Sequence, residues 1–229
     1  IIYALKTERI FSNIMISFTK IFNWDDIKSK IMINTDMFIR SFLLMTIFVY
    51  FMSRGASYGD EVLAANTILL NFFLIYSHGI DGFAHSAEVL VGNSIGKKNK
   101  KNLNASIYST GKLSIYLMLI YIAFFTLFSQ DIIAFITSLE IVNVLSNRYI
   151  IYVYLIFVFA TIAFWLDGVF IGAIKVKLLR NTMIIAGVAF FILETILLGG
   201  NNDGLWLSFL MFFGLRSLFL SIFVYKYLK

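Results

Sequence analysis

Residues 66–96 read NTILLNFFLIYSHGIDGFAHSAEVLVGNSIG. Apolar side chains dominate on both sides of His78, and the run exceeds the roughly 20 residues that a helix needs to cross a hydrocarbon core. Inside it stand His78, Asp81, His85 and Glu88, and those are the chain's two histidines. The whole sequence supports the membrane reading: 60% of residues are hydrophobic, 17% aromatic and only 14% charged. Mean hydropathy is +0.86. A soluble domain of this size needs far more charge to cover its surface. The fold class is therefore all-α, a polytopic membrane protein.

Six spans can be drawn outward from this stretch, at about 34–53, 62–94, 104–129, 149–173, 180–199 and 204–227. The second is long enough to tilt or to project beyond the bilayer. Residues 10–31 mix Ile14, Phe18, Ile21, Phe22 and Trp24 with Lys20, Asp25, Asp26 and Lys28. They read equally as an amphipathic segment lying in the interface or as an ordinary loop. Ile1-Ile2-Tyr3-Ala4-Leu5 reads as the end of a preceding helix.

The formal charge of +6 does not point to nucleic acid, because the cations cluster in short turns between apolar runs. Lys97, Lys98, Lys100 and Lys101 follow the second span; Lys175, Lys177 and Arg180 follow the fourth; Lys226 and Lys229 end the chain. The alternate turns hold Arg54 and Arg148 beside Asp60, Glu61, Asp131, Glu140 and Asp203. By the positive-inside rule both termini are expected in the cytoplasm; the membrane expected is the inner (plasma) membrane. There is no cysteine and no proline. Disulfides, thiolate sites and cysteine nucleophiles are excluded, as are six-helix families built on Asn-Pro-Ala loops or proline-containing carrier signatures. Kinks must come from glycine or from side chains entering the hydrogen-bond ladder, and Gly79 and Gly82 are candidates.

At about 100° per residue, Asp81, Glu88, His85, His78, Asn71, Ser77 and Gly92 fall within an arc of about 120°. Asp81 and His85 are i, i+4 neighbours and His85 and Glu88 are i, i+3, so His85 can bridge both carboxylates. Such a face must look into protein or water, because a charge facing lipid costs several kcal/mol. Two readings stay open: a structural network joining neighbouring helices, or the lining of a transport pathway with proton handling, for which histidine titrates in the useful range. His78 and His85 lack the two-histidine zinc spacing, so no metal site is expected.

Elsewhere, Arg40 in the first span needs an acid such as Glu88. Asp36 reads as interfacial. Asp167 precedes the Gly168-x-x-x-Gly172 pair that permits close helix approach. Glu194 and Arg216 need partners or room to snorkel. The pathway or gating candidates are Asp81, His85, Glu88, Asp167, Arg40, His78 and Asn71.

DGFAHSAEVLVGNSIG (81–96), WLDGVFIGA (165–173), LLRN (178–181) and GLWLSFLMFFGLRS (204–217) together resemble multidrug and toxic compound extrusion (MATE) transporters. The nearest likeness is to the DinF-type branch, running from about Asn34 onward. The resemblance implies a twelve-helix protein of two six-helix lobes. This chain would be the C-terminal lobe (34–229), preceded by the end of a helix and a cytoplasmic interlobe linker (1–33). An even span count fits a parallel repeat, which begins and ends on one side.

The resemblance further implies secondary efflux of amphipathic or cationic compounds by H⁺ or Na⁺ antiport, with no cofactor and no enzymatic step. The partners would be a missing N-terminal six-helix lobe, small substrates and the lipid bilayer, not nucleic acid. In the DinF-type branch, proton coupling is placed on an aspartate of the first helix, outside this chain. Other branches pair a glutamate of helix seven with an aspartate of helix ten. Asp167 matches the latter, but Arg40 lies in the first span and no glutamate does, a departure from a Na⁺ site. The alternatives are a lipid-linked oligosaccharide flippase of the same superfamily, which would favour a more cationic cavity, and the membrane subunit of an ATP-driven transporter.

Overall fold

The structure, a computed structural model, describes residues 24–228. Six helices follow one another: α1 (Trp24–Ser57), α2 (Asp60–Gly96), α3 (Lys100–Ile136), α4 (Glu140–Gly172), α5 (Val176–Ile192) and α6 (Asn202–Leu228). A π turn, Leu193–Leu197, extends α5. All six are long and apolar enough to cross a membrane, and the described residues contain no strand. In lipid the backbone must satisfy its own polar groups, and helices do that within one segment. The chain is a multi-pass membrane protein.

The helices outrun the apolar stretches that announced them. α1 is already helical at Trp24, ten residues before its expected start, and α4 begins at Glu140, nine before. Hydropathy marks where lipid begins, whereas the helix continues until a residue breaks its ladder. Neither segment contains proline, and polar residues such as Asp25, Lys28, Asn143 and Asn147 are compatible with helix outside the hydrocarbon. Of the two readings of residues 10–31, the loop is excluded from Trp24 on, where the chain is helical; residues 1–23 lie outside the described residues. α2 runs without interruption through Gly79 and Gly82, so neither ends the helix.

α2 and α4 form the centre. α4 is apolar on every side, as a helix surrounded by others should be: α2, α3 and α6 all pack on it. Gly168 and Gly172 bring its backbone against that of α2. A Cβ at Gly168 would lie 2.0 Å from the Ala84 carbonyl oxygen, and one at Gly172 2.3 Å from that of Glu88. The expected Gly-x-x-x-Gly approach is therefore made between α4 and the polar segment of α2. α3 is peripheral: its buried positions are few, and Leu113, Tyr116, Leu119, Ile120 and Leu127 are exposed.

The core has two parts. The larger is rich in aromatic rings, with Phe51, Phe73, Phe157, Trp206, Phe209 and Phe213 all essentially inaccessible. The smaller gathers Ala87, Val91, Ala163, Leu166, Val169, Phe170, Leu179 and Leu220. Between them, at the level of Asp167 and Arg216, the interior is charged.

Candidate functional site

Asp167 comes from α4, Arg40 from α1 and Arg216 from α6, and the three side chains meet inside the bundle. Oδ2 of Asp167 accepts hydrogen bonds from Nη2 of Arg216 at 2.6 Å and from Nη2 of Arg40. The side chains of Asp167 and Arg216 are 5% and 1% exposed, that of Arg40 14%. Arg216 also lies 5.9 Å from the Phe164 ring and 5.7 Å from the Phe212 ring, whose faces attract a cation. Five buried side-chain polar atoms lack a hydrogen-bond partner among the described residues. Four of them belong to this triad: Nε of Arg40, Oδ1 of Asp167, and Nε and Nη1 of Arg216.

Arg40 thus takes Asp167, not Glu88, as its ion partner. Glu88 is one acid the sequence offers for Arg40; the acid it meets is Asp167 of α4, whose Oδ2 also pairs with Arg216 of α6. The lone arginine of α6, which sequence left without a partner, completes the group. Only the third dimension supplies that pairing, although an isolated Arg in an apolar run already required one.

Arg40 and Asp167 of the triad line a recess of about 200 Å³ whose lining also includes Asp81, His85, Glu88 and Ile171. The glycine contact sets this up. Ala84 and Glu88 stack on Gly168 and Gly172, so Asp81, His85 and Glu88 share one rim with Asp167 beneath. Nδ1 of His85 stands 3.5 Å from Oε2 of Glu88, with the histidine 79% exposed. The structure gives His85 this one carboxylate neighbour within ion-pair distance, not the bridge to Asp81 that helical spacing allowed. Asp81 is exposed on the face of the lobe.

The structure does not bring the other two candidates into the recess. His78 is exposed, with Nδ1 2.6 Å from the Leu74 carbonyl oxygen one turn back. Asn71 lines a separate, apolar groove with Phe48, Val49, Met52, Thr67, Leu70 and Leu74.

Four further polar groups join helices away from the recess. Glu194, fully buried in the π turn, accepts from Nε of Arg54 at 2.7 Å and from the Tyr50 hydroxyl. Asn66, Asn202 and Trp206 form a buried hydrogen-bonded set between α2 and α6. Asp36 pairs with Arg180 at the lysine-rich end and Arg148 with Asp203 at the other. Among the described residues no group of three or more metal-binding side chains occurs.

The family model MatE matches residues 37–198. DNA damage-inducible protein F of Escherichia coli (strain K12) is 30% identical over 193 residues, which are 82% of this chain and 41% of that protein. Among solved structures, a MATE protein in the bent conformation superposes with a TM-score of 0.76 at 15% identity, covering 86% of this chain and 45% of that one. An outward-facing multidrug resistance MATE transporter of the MOP superfamily gives 0.75 at 16%, covering 87% and 46%. A MOP superfamily transporter from Pyrococcus furiosus, described as having a binding pocket of reverse polarity, gives 0.74 at 16%, covering 86% and 44%. At such identities these structures show the shared fold. The chain spans somewhat under half the length of these relatives. On the family match and the relative in Escherichia coli, the chain belongs to the MatE family of multidrug and toxic compound extrusion transporters, in its DinF-type branch.

Proposed function

We propose that this chain acts as the C-terminal six-helix lobe of a secondary antiporter that exports amphipathic or cationic compounds by alternating access. The observation that carries this reading is the exposure of Asp81 and His85 on a membrane-spanning helix, directly above a buried ion triad. Lipid does not accept such a face. A second six-helix lobe enclosing a watered cavity would cover it, and the relatives are long enough to supply one. The lobe would sit in the inner (plasma) membrane with both ends cytoplasmic, as the lysine-rich turns require.

The recess favours cations, since Asp81, Glu88 and Asp167 outnumber Arg40 in its wall. Coupling to H⁺ fits better than coupling to Na⁺. Asp167, the residue matched to a second-lobe cation site, already faces two guanidiniums at Oδ2, and their charge opposes a sodium ion at its unpartnered Oδ1. Asp81, His85 and Glu88 remain as the titratable groups open to water. A flippase reading draws support from Arg40 and Arg216 in the interior, but the rim acids oppose an anionic lipid-linked substrate. Membership of the MatE family replaces the ATP-driven reading.

The test is export in a complete transporter carrying this lobe, reconstituted with either a proton or a sodium gradient. Asp81→Asn and Glu88→Gln should each lower proton-driven export about tenfold or more at unchanged abundance. Unchanged export would reduce the rim to a structural role, and export driven by sodium alone would overturn the coupling assignment.

A further inference from the structure

On the side of α2 away from Asp81, at its lysine-rich end, a cleft of about 390 Å³ separates α2 from α3. Leu90 lies nine residues beyond Asp81, half a turn round the helix, so this cleft and the ion recess open in opposite directions. Its walls are polar for a membrane protein: Asn93 and Ser94 from α2, with Lys97 just after it, face Asn102, Ser106 and Ser109 from α3. The turn between the helices is tight. Asn99 N–H donates to the Ser94 carbonyl at 3.0 Å and Lys98 N–H to that of Ile95 at 2.9 Å, which closes α2 and keeps Lys97 at the cleft.

The charge there is one-sided. Lys97, Lys98, Lys100, Lys101 and Lys112 fall between Glu88 and Asp131 with no carboxylate among them, and Glu88 itself belongs to the opposite recess. Below the cleft, Leu113, Tyr116 and Ile120 continue the line of Ser109 along α3, and all three are exposed. A polar, cationic mouth above an uncovered apolar flank has the shape of a lipid site. Basic pockets between membrane helices select anionic headgroups for this reason.

We propose that the cleft between α2 and α3 binds an anionic phospholipid, its phosphodiester held by Lys97 and the hydroxyls of Ser106 and Ser109, its acyl chains along Leu113, Tyr116 and Ile120. The site is independent of the ion recess and lies on the outer flank of the lobe.

The experiment uses the purified chain in phosphatidylcholine vesicles containing a trace of spin-labelled phosphatidylglycerol or chain-matched spin-labelled phosphatidylcholine. The fraction of motionally restricted label is read for each. Phosphatidylglycerol should be preferred; Lys97→Gln should cut the preference about fivefold, and Ser109→Trp, which fills the cleft, should abolish it with all five lysines intact. Arg148→Gln, at the far end, should change nothing. Equal retention of the two lipids overturns the proposal, and so does a preference that survives Ser109→Trp, which would mean a diffuse basic patch. Displacement of phosphatidylglycerol by millimolar inorganic phosphate would assign the cleft to a soluble phosphate and overturn the lipid assignment. Should Ser109→Trp lose helicity, the exposed Lys97→Gln decides alone, with an unchanged preference counting against the site.

Discussion

Arg40 and Asp167, separated by 127 residues, share one charged contact between the first and fourth helices, and Arg216 closes the group from the sixth. One carboxylate faces two guanidiniums, which leaves the group one net positive charge in an interior otherwise filled by aromatic and aliphatic side chains. Breaking such a group costs more than its formation contributes, because the charges left behind remain buried.

Asp167→Asn should therefore destabilise the lobe by about 3–5 kcal/mol, since it strands both arginines. Arg40→Met should cost only about 1.5–3 kcal/mol, because Asp167 keeps Arg216. Denaturant titration in mixed micelles ranks the two variants. The reverse order would mean that Arg40, not Asp167, organises the group.

Close approach of α2 and α4 makes a second prediction. Gly168→Ala would place a Cβ 2.0 Å from a backbone oxygen of α2, and backbone cannot swing aside as a side chain can. A loss of about 1–3 kcal/mol is expected. Gly82→Ala meets nothing within 4 Å and should be neutral or gain up to about 1 kcal/mol from helix propensity. Equal effects in thermal melts would show that the helices are not in contact at Gly168.

Glu194 ties the π turn to α1 through Arg54 and Tyr50. Glu194→Ala should cost about 1–3 kcal/mol, less than Asp167→Asn, because Arg54 is 36% exposed and can turn to water. Amide exchange should rise first within Leu193–Leu197. Exchange that rises uniformly along α5 would contradict a local clamp.

The turn after α4 carries strain. Ile174 has φ 55°, a left-handed conformation that a β-branched residue adopts at a cost of about 1–2 kcal/mol. Its side chain is 69% exposed, so little packing is lost by removing it. Ile174→Gly should raise the melting temperature, equivalent to a net gain of about 0.5–1 kcal/mol. A lowered melting temperature would place the turn in another conformation.

What could be read from sequence followed from local rules. Six apolar runs gave six helices, and the 3.6-residue period put Asp81, His85 and Glu88 on one face. Gly168 and Gly172 announced a tight crossing by their spacing, without saying which helix they meet. Partners were the part that stayed hidden. Arg40 and Arg216 each demanded an acid, and nothing in a linear pattern distinguishes Asp167 from Glu88 when each lies on a helix other than theirs. Helix ends were hidden too, since polar residues such as Lys28 and Lys30 lower the hydropathy of residues 24–33 although they are helical. Asn71 shares the polar arc on paper, yet it sits almost three turns above Asp81, where the neighbour is the apolar side of α1.

The central claim is that the rim of Asp81, His85 and Glu88 faces a watered cavity between two lobes. This chain has no cysteine, so a thiol at Asp81 would be its single reactive sulfur. In a cysteine-free complete transporter, Asp81→Cys should react with a membrane-impermeant maleimide and be protected by bound substrate. Leu119→Cys, on the exposed flank of α3, should stay unlabelled in lipid. An Asp81→Cys variant as unreactive as Leu119→Cys would contradict the account.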